Sequence, residues 1–190
     1  MTLPNQLTLL RLALTVVFVV CLTVGVPYGQ TAAFVIFVVA ALTDYLDGVL
    51  ARRLGQITDF GKLMDPLADK VLTASAFICL IPLGAFPAWV VIIIIAREFL
   101  ITGLRLVAGA KGVLLPAERL GKHKTAWQMI TILFYLALFG AGDWPALFSE
   151  PLQELGKNLV GPILIGITIL LTVYSGAAYL WKNRRLIDFR

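Results

Sequence analysis

Charge is scarce in this chain. Lys, Arg, Asp and Glu make up 14% of its 190 residues, 59% are hydrophobic, and mean hydropathy is +0.91. A soluble domain of this length carries far more charge. The composition therefore excludes a soluble globular protein and predicts an integral membrane protein folded as one domain over 1–190. Cysteine occurs only as Cys21 and Cys79, both inside apolar runs. They read as small core residues, and a disulfide framework is excluded. The one histidine, His123, stands between Lys122 and Lys124, a setting that suits a solvated residue at a membrane surface better than catalysis. Internal repeats and low-complexity linkers are absent. No cleavable signal is visible, because the first apolar run follows little positive charge and has no clear small-residue cleavage site. The basic excess, 16 Lys and Arg against 11 Asp and Glu, falls in short segments between apolar runs. That placement points to lipid headgroups and topology, and away from nucleic acid.

What the chain does have is apolar runs of spanning length. A helix needs about 20 apolar residues to cross a bilayer, and candidates lie near 8–26, 31–51, 63–82, 88–108, 124–141 and 158–181. The expected fold is all-α, an integral membrane six-helix bundle, with 3–8 as a short interfacial segment before the first span. The stretch 142–156 reads only as a loop. Six spans put both termini on one side. The loops after the first, third and fifth spans share the other side, and Lys157 is the only basic residue there. By the positive-inside rule the basic side, with both termini, is cytoplasmic.

Four aspartates interrupt this apolar background: Asp44, Asp47, Asp65 and Asp69. Asp44 and Asp47 are three apart and Asp65 and Asp69 four apart, so each pair shares a helix face at the cytoplasmic end of its span. Clustered carboxylates near lipid repel one another and are costly unless something positive sits among them. All-oxygen donors suit hard divalent cations such as Mg²⁺ or Mn²⁺. Two such ions stabilise the entering and leaving oxygens of a displacement at phosphorus. Gly48 and Gly61 allow a ligand close to the backbone, and Arg52, one turn beyond Gly48, is suited to grip a phosphate.

Two basic groups complete the pattern. Arg97 and Arg105 are eight apart, so they share a helix face at roughly 12 Å. Arg97 falls near mid-span and should face a polar cavity. Lys122 and Lys124 flank His123 at the mouth of the fifth span. They suit either phosphate binding or ordinary interfacial anchoring, and Arg105 has the alternative of snorkelling. Lys182, Arg184 and Arg185 read as a topological anchor. A phosphorylated, anionic co-substrate beside the metal site accounts for the basic groups together.

From Asp44 to Asp69 the chain reads D-x2-D-G-x2-A-R-x8-G-x3-D-x3-D, which resembles the signature of the CDP-alcohol phosphotransferase family. The resemblance extends to Pro4-Asn5-Gln6-Leu7-Thr8 with Arg11, to Thr58-Asp59-Phe60-Gly61, to Arg97-Glu98-Phe99 and to Gly121-Lys122-His123-Lys124-Thr125. It implies a six-helix membrane domain, often a homodimer, with a cavity facing the cytoplasm of a bacterial cell membrane. It also implies two divalent metals on Asp44, Asp47, Asp65 and Asp69, with Asp69 as general base. The cytidine nucleotide falls to Asn5, Asp44, Gly48, Arg52 and Thr58. The acceptor phosphate falls to Arg97, Arg105, Lys122 and Lys124. The implied reaction moves the phosphatidyl group of CDP-diacylglycerol onto glycerol 3-phosphate and releases CMP. Inositol phosphate and serine are alternative acceptors within the family. From another class, a small cation transporter also places carboxylates in membrane helices.

Overall fold

Among the described residues six long helices follow one another: α1 (Leu3–Thr23), α2 (Gly29–Leu54), α3 (Asp59–Leu80), α4 (Ala88–Ala110), α5 (Arg119–Gly140) and α6 (Gly161–Lys182). The computed structural model describes residues 3–54, 59–110, 112, 119–143, 150 and 153–184. Side chains are described at all of these except 3–5, 45–54, 59–63, 65, 66, 110, 119, 120 and 122. Among the described residues there is no strand, in keeping with the all-α expectation. At 1.5 Å per residue, the shortest helix is about 30 Å long, the thickness of a hydrocarbon core.

Gln6–Thr23, His123–Asp143 and Gln153–Lys182 are long and apolar enough to cross a membrane, and Gly29–Asp44 is a shorter apolar stretch. Leu10, Val16, Ile92 and Leu170 are large, apolar and exposed on the outer faces. Outward apolar side chains on helices of this length make the chain a membrane protein. Trp89 at one end of the bundle and Trp181 at the other are also exposed, as expected of side chains at headgroup level. Arg184 lies over the Trp181 ring, 4.8 Å from its centroid.

The packing puts α1 in an unexpected place. It lies against both α2 and α3, while α2 also packs on α5, α5 on α6, and α6 on α4. Small residues let these axes approach: Ala33, Ala40 and Ala76 are fully buried. Around them Phe18 meets Phe37 at 5.7 Å, and Phe77 and Tyr135 both meet Phe86, at 5.2 and 4.9 Å. Gly161 at the start of α6 packs on α5 so tightly that a β-carbon there would collide with the Tyr135 hydroxyl.

Helix ends differ from the apolar runs. The 3–8 stretch forms the first turns of α1, continuous with it. Pro4 does not break the helix there, because amides of the first turn have no partner within the helix. α2 runs on to Leu54, α3 begins at Asp59 and α5 at Arg119. An apolar run marks the part in lipid, but backbone hydrogen bonding continues into the headgroup region without it. The described ends of the 142–156 stretch are ordered into turns. Ala141–Asp143 is a 3₁₀ turn, and a π turn over Gly156–Val160 leads into α6. Asp143 caps α2 from a distance in sequence: its Oδ2 accepts from the Thr31 amide at 3.1 Å and from the Thr31 hydroxyl at 2.7 Å.

Candidate active site

Because α1 packs on both carboxylate-bearing helices, its Arg11 reaches the first pair. Arg11 is wholly buried, and its Nη1 lies 2.6 Å from Asp44 Oδ1. Asp69 of α3 is within electrostatic range of Arg11, of Asp44, of Lys70 and of Glu98. Asp44 and Asp69 therefore belong to one electrostatic group, with a guanidinium from α1 beside them. Asp47 and Asp65 lie in the same helices, but their side chains are outside the described residues. So are the side chains of Asn5, Arg52 and Lys122, and all of Thr58; Gly48 lies on α2 and Gly61 on α3, with their surroundings outside the described residues. The donors that are described fit a hard divalent cation: both are carboxylates, presented by different helices close to each other.

Beside Asp69 a cavity of about 470 Å³ opens between α3, α4, α5 and α6. Three of the expected acceptor residues, Arg97, Arg105 and Lys124, line it together with Asp69. Arg97 thus faces a polar cavity, as its mid-span position requires. Its Nη2 donates to the Ser175 hydroxyl on α6 at 3.2 Å. The next residue, Gly176, is where Arg97 crosses α6: a β-carbon there would stand 3.0 Å from Arg97 Cγ.

Lys124 is no interfacial anchor. It is 1% exposed and forms an ion pair with Glu98 Oε1. His123 next to it is exposed, as a solvated residue should be. The same Glu98 carboxylate takes Arg97 Nη1 at 3.2 Å on Oε1 and Lys70 Nζ at 3.1 Å on Oε2. One acid thus joins cations from α3, α4 and α5. Deeper in the bundle a polar seam continues from the cavity. Gln128 Nε2 donates to Thr172 Oγ1 at 3.5 Å, and the Thr131 and Thr168 hydroxyls meet at 2.8 Å. These bonds tie α5 to α6 where apolar packing in lipid has no hydrophobic drive.

Sequence reasoning assigned no role to Arg11, Lys70, Glu98, Ser175 or Tyr179, all of which belong to this region. A signal existed for Glu98, since an acid in mid-span needs a cation. Ser175 carried none, because a lone serine in an apolar helix is unremarkable.

The model of a family described as CDP-alcohol phosphatidyltransferase matches residues 1–174. The chain belongs to the CDP-alcohol phosphatidyltransferase family. All four aspartates and the whole described cavity edge on α3, α4 and α5 fall within the matched stretch of this CDP-alcohol phosphatidyltransferase. It is similar to a CDP-diacylglycerol–glycerol-3-phosphate 3-phosphatidyltransferase of Bacillus subtilis, 39% identical over 193 residues, covering 95% of this chain and 94% of that protein. A protein of the same name from Rickettsia bellii is 34% identical over 177 residues, covering 93% and 92%. A probable phosphatidylglycerophosphate synthase of Mycobacterium tuberculosis is 41% identical over 187 residues, covering 96% of this chain and 82% of that protein.

Proposed function

We propose that this CDP-alcohol phosphatidyltransferase moves the phosphatidyl group of CDP-diacylglycerol to glycerol 3-phosphate, giving phosphatidylglycerol phosphate and CMP. The observation that carries the reading is one cavity that Asp69 lines together with Arg97, Arg105 and Lys124. An acid beside several cations suits an acceptor that must lose a hydroxyl proton while its phosphate is held. Serine offers these cations only a carboxylate, offset by its own ammonium, and so suits them less well than a phosphate monoester. Relatives named for glycerol 3-phosphate favour it over inositol phosphate. A cation transporter does not account for a cation-lined cavity next to the carboxylates.

In the proposed reaction Asp69 accepts the proton of the acceptor's 1-hydroxyl. The freed oxygen attacks the lipid-linked phosphorus, the bond from that phosphorus to the CMP oxygen breaks, and CMP leaves. Arg97 and Arg105 hold the acceptor phosphate by charge-assisted hydrogen bonds, with Lys124 and Lys122 as further candidates. The nucleotide falls to Asn5, Asp44, Gly48, Arg52 and Thr58. Asp44, Asp47, Asp65 and Asp69 are the candidate ligands of two Mg²⁺ or Mn²⁺ ions. When bound, such ions supply neutralising charge on the pyrophosphate oxygens. Holding both substrates in one cavity lowers the entropic part of the barrier. The basic end of the bundle is read as cytoplasmic, in a bacterial cell membrane. A homodimer, as the family resemblance implies, is the assembly to test by mass measurement in detergent.

The test is CMP release by purified protein with CDP-diacylglycerol and Mg²⁺ or Mn²⁺, offering glycerol 3-phosphate, inositol phosphate and serine in separate reactions. Release with glycerol 3-phosphate alone, lost on chelation, is the expected result. Release with another acceptor moves the enzyme within its family, and no release with any of them overturns the reading.

A further inference from the structure

The Glu98 side chain lines the cavity, and among the described residues its ion-pair partners are three cations from the same wall: Lys70, Arg97 and Lys124. A carboxylate with three cations around it presents, in miniature, what a phosphate offers: several anionic oxygens sharing one set of donors. Lys124, at 1% exposure, needs a counter-charge before any ligand arrives. Among the described residues the cavity is lined by four cations, Lys70, Arg97, Arg105 and Lys124, against two acids, Asp69 and Glu98. Two positive charges are in excess, matching a phosphate monoester dianion.

We propose that Glu98 is a built-in stand-in for the acceptor phosphate, a positioning residue that holds Lys70, Arg97 and Lys124 in place and is displaced from them when a phosphate monoester binds. It keeps the cations pre-formed without letting them trap anions tightly. Displacing it costs part of the binding free energy, so stray inorganic phosphate binds weakly, and an acceptor stays only if its other contacts add to those of its phosphate. The inference rests on the acceptor reading above. Its own prediction concerns phosphate affinity, which is measurable without turnover.

The experiment is calorimetric titration of the detergent-solubilised full chain with inorganic phosphate, for the wild type, Glu98→Gln and Glu98→Asp. CMP release with glycerol 3-phosphate is measured on the same samples. Glu98→Gln removes the competing charge at nearly constant shape. Its phosphate Kd should fall about tenfold, with a lower KM for glycerol 3-phosphate and a lower kcat, because a phosphate without its competitor is held too firmly. A purely structural Glu98 predicts the opposite: weaker phosphate binding and a raised KM as the cluster falls apart. Unchanged or weaker phosphate binding in folded Glu98→Gln overturns the proposal. Should Glu98→Gln fail to fold, Glu98→Asp decides. Its carboxylate is withdrawn by one methylene and competes less, so phosphate should bind about two- to threefold more tightly. Equal or weaker binding in Glu98→Asp overturns the proposal as well. Failure of the wild type to release CMP while the phosphate affinities shift as expected refutes the acceptor reading alone.

Discussion

The two halves of the site are electrostatic opposites. On the α1–α2–α3 side a cation, Arg11, sits among acids and pairs with Asp44. On the α3–α4–α5 side an acid, Glu98, sits among cations. They differ in access. Arg11 is wholly enclosed by its own helix and its neighbours, whereas Glu98 lines an open cavity. A sealed counter-charge holds helices together, since nothing can take its place. An accessible one is free to exchange with a ligand of the same sign. Asp69 stands where the two halves meet, within range of Asp44 and Arg11 on one side and of Lys70 and Glu98 on the other.

The largest test of this contrast is at the meeting point. Asp69→Asn should lower kcat by about 10²-fold or more, in line with general-base contributions. Near-normal CMP release by this variant would remove Asp69 from the chemistry. Next comes the sealed half. Arg11→Leu should cost about 2 kcal/mol of stability, less than a fully enclosed pair loses because Asp44 is half-exposed. Thermal unfolding in detergent reads this directly; an unchanged midpoint would mean Arg11 is not the pin between α1 and α2. On the open half, Gly176→Ala pushes against Arg97 Cγ without touching any charge. The acceptor KM should rise about three- to fivefold, with stability nearly constant. Smallest, and away from both halves, Asp143→Ala removes the cap on α2. It should cost about 1 kcal/mol and leave KM and kcat as they were; a change in KM there would show that the two ends of the bundle are coupled.

Several elements were legible beforehand because their signals are local. The apolar runs announced the six helices, and the cost of Arg97 in mid-span announced a polar cavity. Asp44 and Asp69 stood out because acids are so unexpected among apolar neighbours. The helix ends were less legible, since backbone hydrogen bonding carries α2 and α5 beyond their apolar stretches. The 3–8 stretch, read as a short segment ahead of the first span, is helical and continuous with it, and Pro4 is harmless in a first turn. Lys124 was ambiguous between anchor and site residue. Nothing near it in sequence foretold that Glu98, from another helix, would bury it.

By itself, then, the sequence determined a helical membrane protein, the frame of four aspartates and the face shared by Arg97 and Arg105. Each follows from periodicity and from the cost of charge in lipid, which act over one or two helical turns. Only the tertiary structure decided that α1 would supply Arg11 to Asp44, that Glu98 would join Lys70, Arg97 and Lys124, and that Gly176 would make room for Arg97 to reach Ser175. Those pairings depend on which helices lie side by side, and that is settled by the fit of whole surfaces across the bundle.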